Sequence, residues 1–196
     1  MDRRIIIFIC LVLVSLNLNA QKNVISTVNN YMSNHTTFDK LLFISINDQK
    51  LYYISSLEII KTYVISSSKY GKGNKEGSNK TPLGIHKIKG KYGKKTPENG
   101  RMIGRVFYGD IAKIYSDKTI SKTDDITSRI LWLEGMEDGK NKGKGIDSYN
   151  RYIYIHGTSE EGWIGEPASH GCIRMKNKDV IDLYKLIEVG TLVLIL

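Results

Sequence analysis

Cysteine is nearly absent from this chain: Cys10 and Cys172 are the only two among 196 residues. That number cannot build the disulfide framework that staples small secreted domains. Proline is scarce as well, three in all, which excludes collagen-like and proline-rich architectures. Acidic residues are outnumbered, 20 against 29 Lys and Arg, for a formal charge of +9. Long apolar runs are missing after the first twenty residues, so a multi-pass membrane protein is excluded. No internal repeat and no domain linker interrupts the chain. What remains, 41% hydrophobic and 25% charged, is an ordinary globular balance at a length suited to one domain with a short appendage.

The first twenty residues have a separate logic. Arg3 and Arg4 precede an almost unbroken apolar run from Ile5 to Leu16, and a polar stretch then ends on the small residue Ala20. This is the layout of a secretory signal peptide cleaved after Ala20. Leu18 fits the small-residue preference three positions before the cut poorly, which leaves an uncleaved anchor as the alternative. Removal of Cys10 with this segment leaves one cysteine, Cys172. A lone thiol in an oxidising compartment is a liability unless it is used or buried.

After the leader, Val24, Ile25, Val28, Tyr31 and Met32 recur with helical spacing. Two β-rich runs, 41–46 and 50–54, flank an Asn-Asp turn and read as a hairpin. Further strands are expected over 59–66, 105–108, 129–134, 151–156 and 191–196, and 81–88 reads as a turn leading into a strand. A mobile, solvated loop is expected over the Gly-, Ser- and Lys-rich segment 67–80. Residues 177–187 read as an amphipathic helix started by Asn177 or Asp179 and closed by Gly190. The sum is a mainly β domain, a sandwich or open barrel, with a C-terminal helix packed on it and a short N-terminal helix before it.

The chemistry concentrates in one place. Ile155-His156-Gly157-Thr158 is followed by Ser169-His170-Gly171-Cys172-Ile173-Arg174, so two of four histidines and the remaining cysteine fall within seventeen residues. A thiol attacks carbonyls as thiolate and needs a base or positive neighbours to become one. His156 ends a β-rich run and is aimed from a rigid element. Gly171 lets the backbone turn sharply beside the thiol, where amides would form an oxyanion hole.

These residues closely resemble the signature of the L,D-transpeptidase (YkuD-type) catalytic domain: a His, then Ser/Thr-His-Gly-Cys, then a hydrophobic residue and Arg or Asn. Thr81-Pro82-Leu83-Gly84, Ile164-Gly165 and Gly190-Thr191-Leu192-Val193 extend the resemblance over about residues 40–196. With the signal peptide at 1–20 and the N-terminal helical segment at 21–39 read from their own residues, the resemblance implies a β-sandwich-like catalytic domain at 40–196. It also implies acyl transfer through a cysteine thioester on peptidoglycan stem peptides, a donor tetrapeptide and an amine acceptor, in the periplasm or cell envelope. The protein would sit peripheral to the wall without a stable membrane span. No cofactor and no metal is implied. By position Cys172 is the nucleophile and His156 the base, its ring oriented by a carbonyl near Gly157. His170, Gly171 and Ser169 shape the loop, and the Gly171 and Cys172 amides form the oxyanion hole. Arg174 binds a substrate carboxylate through its bidentate fork.

Competing readings stay in view. His156, His170 and Cys172 are also zinc-ligand types, although no fourth ligand is evident. Arg174 has the alternative of pointing away to tie its loop to the helix at 177–187. His86 reads as a satisfied strand side chain and His35 as a surface residue. The basic excess alone selects no partner; for an exported protein, anionic wall polymer or a lipid surface is a better candidate than nucleic acid. The same acyl-enzyme attacked by water would make a carboxypeptidase or cross-link hydrolase, and a catalytically silent wall-binding module is the reading from another class.

Overall fold

The computed structural model describes residues 21–196, so the expected signal peptide lies outside the described residues. Helix α1 covers residues 21–32. Ten strands follow: β1 Lys40–Ser45, β2 Lys50–Ser55, β3 Glu58–Ser66, β4 Gly84–Tyr92, β5 Gly100–Ile103, β6 Val106–Ile111, β7 Ile126–Gly135, β8 Tyr154–Thr158, β9 Ile173–Met175 and β10 Leu192–Ile195. Helix α2, Asn177–Leu186, lies between the last two strands. The expected mainly β fold with a packed C-terminal helix is what forms. Its single sheet runs β4-β10-β1-β2-β3-β9-β8-β7-β5-β6, and an extra β4–β7 pairing folds the sheet back on itself. The β5–β6 hairpin is the branch left outside that circuit.

Strand alternation sorts the core into an inside and two outer patches. Along β1, Leu42 and Ile44 point inward, and Leu41 and Phe43 point outward to Val28 and Met32 of α1. The inner core gathers Ile65, Leu131, Leu133, Ile155, Ile173, Met175 and Val193, and α2 closes it with Val180, Leu183 and Ile187. Along β7, Ile130 and Trp132 face the other way, into a second outer patch with Tyr154 and Met102. The functional face is built on that patch.

Two expectations need correction. The segment 67–80 is not a free, mobile loop: Ser67, Ser68 and Thr81 are buried, and Lys69 and Ala168 exchange backbone bonds with Ser169 and Ser67 across it. Most of its side chains beyond Ser68 are solvated while its backbone is docked. Nor does Asn177 or Asp179 cap α2. The cap residue is Lys176, without a side-chain bond, and the first amide of the helix donates instead to Glu161 Oε1 at 2.7 Å. His86 is fully buried on β4, donating through Nδ1 to the Gly84 carbonyl and accepting the Ser148 hydroxyl at Nε2. His35 is exposed.

Asn177 is committed to a buried polar knot. Its amide nitrogen donates to the Thr158 carbonyl (2.9 Å) and to Glu161 Oε1 (2.8 Å). Its oxygen accepts the hydroxyls of Thr127 and Ser128, each at 2.6 Å. The knot joins α2 to β7 and β8, and every member is satisfied only while the amide is present. Asn177→Ala orphans these partners and is expected to cost about 2–4 kcal/mol. Asn177→Asp sets a second carboxylate against Glu161 and should cost at least as much. Denaturant unfolding followed by circular dichroism measures both; a loss below ~1 kcal/mol for the alanine variant refutes the role.

Candidate active site

Strands β8 and β9 run parallel, with Ile155 opposite Ile173, His156 opposite Arg174 and Gly157 opposite Met175. Alternation sends Ile155 and Ile173 into the core and sets Tyr154, His156 and Arg174 on the outer face. Cys172 immediately precedes β9. Its sulfur accepts the Tyr154 N–H at 3.4 Å and lies 3.5 Å from the Tyr152 carbonyl, which accepts the thiol proton. The thiol is half-buried against the Met102–Ile130–Trp132–Tyr154 patch. One wall beside it is aromatic: Trp132 stacks on Tyr149 at 4.0 Å, and Arg105 lies over Trp132 and donates to the Tyr154 hydroxyl at 3.0 Å.

His156 is buried, and its Nδ1 lies 2.7 Å from the Gly157 carbonyl. A carbonyl only accepts, so Nδ1 carries the proton and Nε2 keeps its lone pair, with no hydrogen-bond partner among the described residues. Burial pushes the imidazole down to about 4 against the opposing pull of the Gly157 bond and Asp124. Burial pushes the Cys172 thiol up to about 11, only partly offset by the Tyr154 N–H. Burial thus disfavours the charged form of both groups, imidazolium and thiolate alike. Gly157 has a steric duty: a Cβ there would lie 2.6 Å from Asn177 Oδ1 and 2.7 Å from the Thr127 carbonyl.

The loop before the thiol is braced from within. Gly171 sits at φ +124°, a conformation that favours glycine, and its carbonyl accepts the Thr81 hydroxyl at 3.1 Å. Ser169 is buried; its hydroxyl donates to the Cys172 carbonyl at 2.6 Å and accepts the Gly171 N–H at 3.2 Å. The Gly171 amide is thus already engaged, which corrects its expected place in the oxyanion hole. The Cys172 amide has no hydrogen-bond partner among the described residues. His170 is exposed and bonds Asp124 through Nδ1 at 2.8 Å.

Arg174 departs from its expected role. Its guanidinium is 2% exposed, donating to Glu160 at 2.8 Å and to Asp124, so no free fork faces a substrate carboxylate. Two carboxylates held by the fold have taken that place. Burial raises the Asp124 carboxyl, but the Arg174 charge and the His170 bond outweigh it and hold the group below its ordinary value. Asp124, Glu160, Tyr154 and Arg151 were not singled out by the sequence pattern. Asp124 sits in a polar run, Lys122-Thr123-Asp124-Asp125, that carries no local mark of a burial partner. Trp163 lines a second cleft of about 280 Å³ with Ile120, Asp124, Glu160 and His170.

The comparisons agree on one family. Residues 39–195 match the family model of the L,D-transpeptidase catalytic domain. YqjB of Bacillus subtilis (strain 168), named for an L,D-transpeptidase, is 50% identical over 52 residues, 26% of this chain and 28% of that protein. YkuD of the same strain, named likewise, is 54% identical over 41 residues, 21% of this chain and 25% of that protein. The matched stretches span about a quarter of the length of these curated relatives. The crystal structure of the L,D-transpeptidase (residues 123–326) from Xylanimonas cellulosilytica DSM 15894 shares the fold at a TM-score of 0.51. It is 18% identical, over 83% of this chain and 62% of that one. With the family model running through nearly all of the described residues, the chain belongs to the L,D-transpeptidase catalytic-domain family.

Proposed function

We propose that this protein is a cysteine-dependent L,D-transpeptidase acting on peptidoglycan stem peptides in the cell envelope, exported by its N-terminal segment. The observation that carries the reading is the half-buried Cys172 thiol, cradled by Tyr154 N–H and Tyr152 C=O, on the face that also holds a neutral His156 with Nε2 unpartnered. Among the described residues no helix is long and apolar enough to cross a membrane.

The steps follow from the two protonation states. The Cys172 sulfur attacks the carbonyl carbon that joins the diamino acid of a donor tetrapeptide to its terminal D-residue, and His156 Nε2 takes the thiol proton as the S–C bond forms. The Cys172 amide donates to the oxyanion. The C–N bond then breaks, the proton passes from His156 to the departing amine, and a thioester remains. An acceptor amine attacks that thioester, surrenders its proton to His156 and forms the new amide; the S–C bond breaks and the thiol is restored. Arg174 acts as a positioning residue, fixing Asp124 and through it His170 at the rim.

Cys172→Ala removes the only nucleophile and little volume. Intact-mass spectrometry with disaccharide tetrapeptides should find a thioester on the wild-type protein and none on the variant, with both melting together. Turnover surviving in Cys172→Ala would end the mechanism.

The neutral resting pair has a kinetic signature. With the thiol near 11, iodoacetamide alkylation of the free protein should climb about tenfold per pH unit from pH 6 to 10 without a plateau. A plateau below pH 8 would mean a preformed ion pair. His156→Ala should slow acylation by about 100-fold or more while leaving alkylation at pH 10 nearly unchanged.

Arg174→Gln strands Asp124 and Glu160 and is expected to destabilise the fold by about 3–5 kcal/mol. The Arg174 charge also eases ionisation of the thiol, so the alkylation profile of any folded variant should move to higher pH. Arg174→Lys should recover part of both effects. An unmoved profile would reduce Arg174 to a structural brace.

A further inference from the structure

Two arginines act on the thiol by their charge and differ in their company. Arg174 is matched by two carboxylates. Arg151 is matched by none among the described residues: its Nη1 donates to the carbonyls of Gly73 (3.3 Å) and Asn74 (2.9 Å), and its Nη2 to that of Lys80 (2.6 Å). Neutral carbonyls fix the guanidinium in place without cancelling its charge. Three bonds also leave two of its five N–H groups without a protein partner. Burial lowers the guanidinium's affinity for its proton, and the Cys172 and Glu76 charges act against that, so arginine and thiol feel each other.

Arg151 stands in a cleft of about 330 Å³ lined by Glu76, Asn79, Tyr152, Ile153 and His170. Tyr152, part of the lining of that cleft, also offers its carbonyl to Cys172 Sγ at 3.5 Å, so cleft and thiol share this residue. The cleft on the other side of His170 contains the Asp124 and Glu160 carboxylates and is the poorer host for an anion. An L,D-donor brings anions close to the attacked carbon. The carboxylate of its terminal residue is three bonds away, and a diamino acid with a side-chain carboxylate adds a second.

We infer that Arg151 is the donor-recognition residue, a pre-positioned guanidinium that takes a carboxylate of the donor stem in the Glu76–His170 cleft and seats the adjacent carbonyl over Cys172. The inference rests on the transpeptidase reading and assigns the anion site that Arg174, already occupied, cannot supply. A fork held by three carbonyls has lost its rotamer freedom before the ligand arrives, so little ordering remains when the carboxylate binds.

The test is equilibrium binding, by calorimetry, of disaccharide tetrapeptides to the full chain carrying Cys172→Ala, in parallel with thioester formation by the unaltered protein. Three donors are used: the free acid, one amidated at the terminal carboxylate and one amidated at the diamino-acid carboxylate. The free acid should bind about 10–100-fold more tightly than one of the amides, the span of a charge-assisted contact, and which amide loses identifies the carboxylate. Adding Arg151→Gln should erase that discrimination, and Arg151→Lys should restore part of it. If neither amidation weakens binding to the Arg151 protein, the inference falls, whatever the variants' folding. Equal losses for acid and amides in Arg151→Gln, with a lowered melting temperature, overturn it in favour of a loop brace. Carboxylate-dependent binding without any thioester would remove the transpeptidase reading and leave the anion site standing; no binding of any tetrapeptide removes both.

Discussion

The buried guanidinium of Arg174 is the constraint on which the rest of the site depends. It ties three segments with no sequence proximity: β9, the turn that holds Glu160, and the loop that ends at Asp124. A lone charge at that depth would be costly, and two carboxylates offset the cost only while both stay in reach. Glu160 has a second duty, accepting the Ser121 amide at 2.6 Å, and Asp124 passes its remaining oxygen to His170. One ion-paired node therefore sets the height of the loop wall, the position of the rim histidine and the charge seen by the thiol.

Burial also decides the kind of chemistry open to Cys172 and His156. A thiolate–imidazolium pair needs solvent or compensating charge to exist at rest, and burial beside the aromatic wall outweighs the help that Arg174 and Arg151 give the thiolate. The proton has to move when the nucleophile does. That places the demand on geometry: the Gly157 carbonyl fixes the imidazole tautomer, and the absence of a Cβ at Gly157 lets the Asn177 knot pack beneath it. The polar knot that holds α2 to the sheet and the orientation of the base are thus one structural problem, not two.

Local patterns made part of this legible. The β1–β2 hairpin, the α2 stripe and the end of β8 each carry their period within a dozen residues, and the His156-to-Arg174 run announces itself by residue type. The closing β4–β7 pairing, the short β5 and β9 and the Glu161 cap had no such mark. The β4–β7 pairing joins His86 to Gly135 and Tyr92 to Ile130, and the Glu161 cap reaches across 16 residues, beyond what a local window carries. The loop at 67–80 misleads for a related reason. Its lysines face water, whereas Ser67 and Ser68 are buried and its order comes from backbone bonds to the Ser169 loop. Arg174 shows the limit most sharply: its place beside the thiol follows from alternation along an extended segment, but whether its fork was free depended on where Asp124 and Glu160 arrive.

The contrast between Arg174 and Arg151 is a matter of charge accounting. Both guanidiniums are fixed by the fold, and both favour the thiolate by their charge. With Arg174, the Asp124 and Glu160 carboxylates outnumber one positive charge, so this side of the thiol is the more negative one. With Arg151, the carbonyls of Gly73, Asn74 and Lys80 supply geometry and no charge, and the one carboxylate of its cleft, Glu76, makes no salt bridge to it among the described residues, so this side is the less negative of the two. A field with that polarity orients a ligand that carries a carboxylate at one end and meets an amine at the other. The 67–83 segment acquires a purpose in the same step. Its docking on the Ser169 loop holds the three carbonyls still, and those carbonyls hold Arg151. The loop that composition alone describes as mobile and solvated is the scaffold for a guanidinium that no salt bridge engages among the described residues.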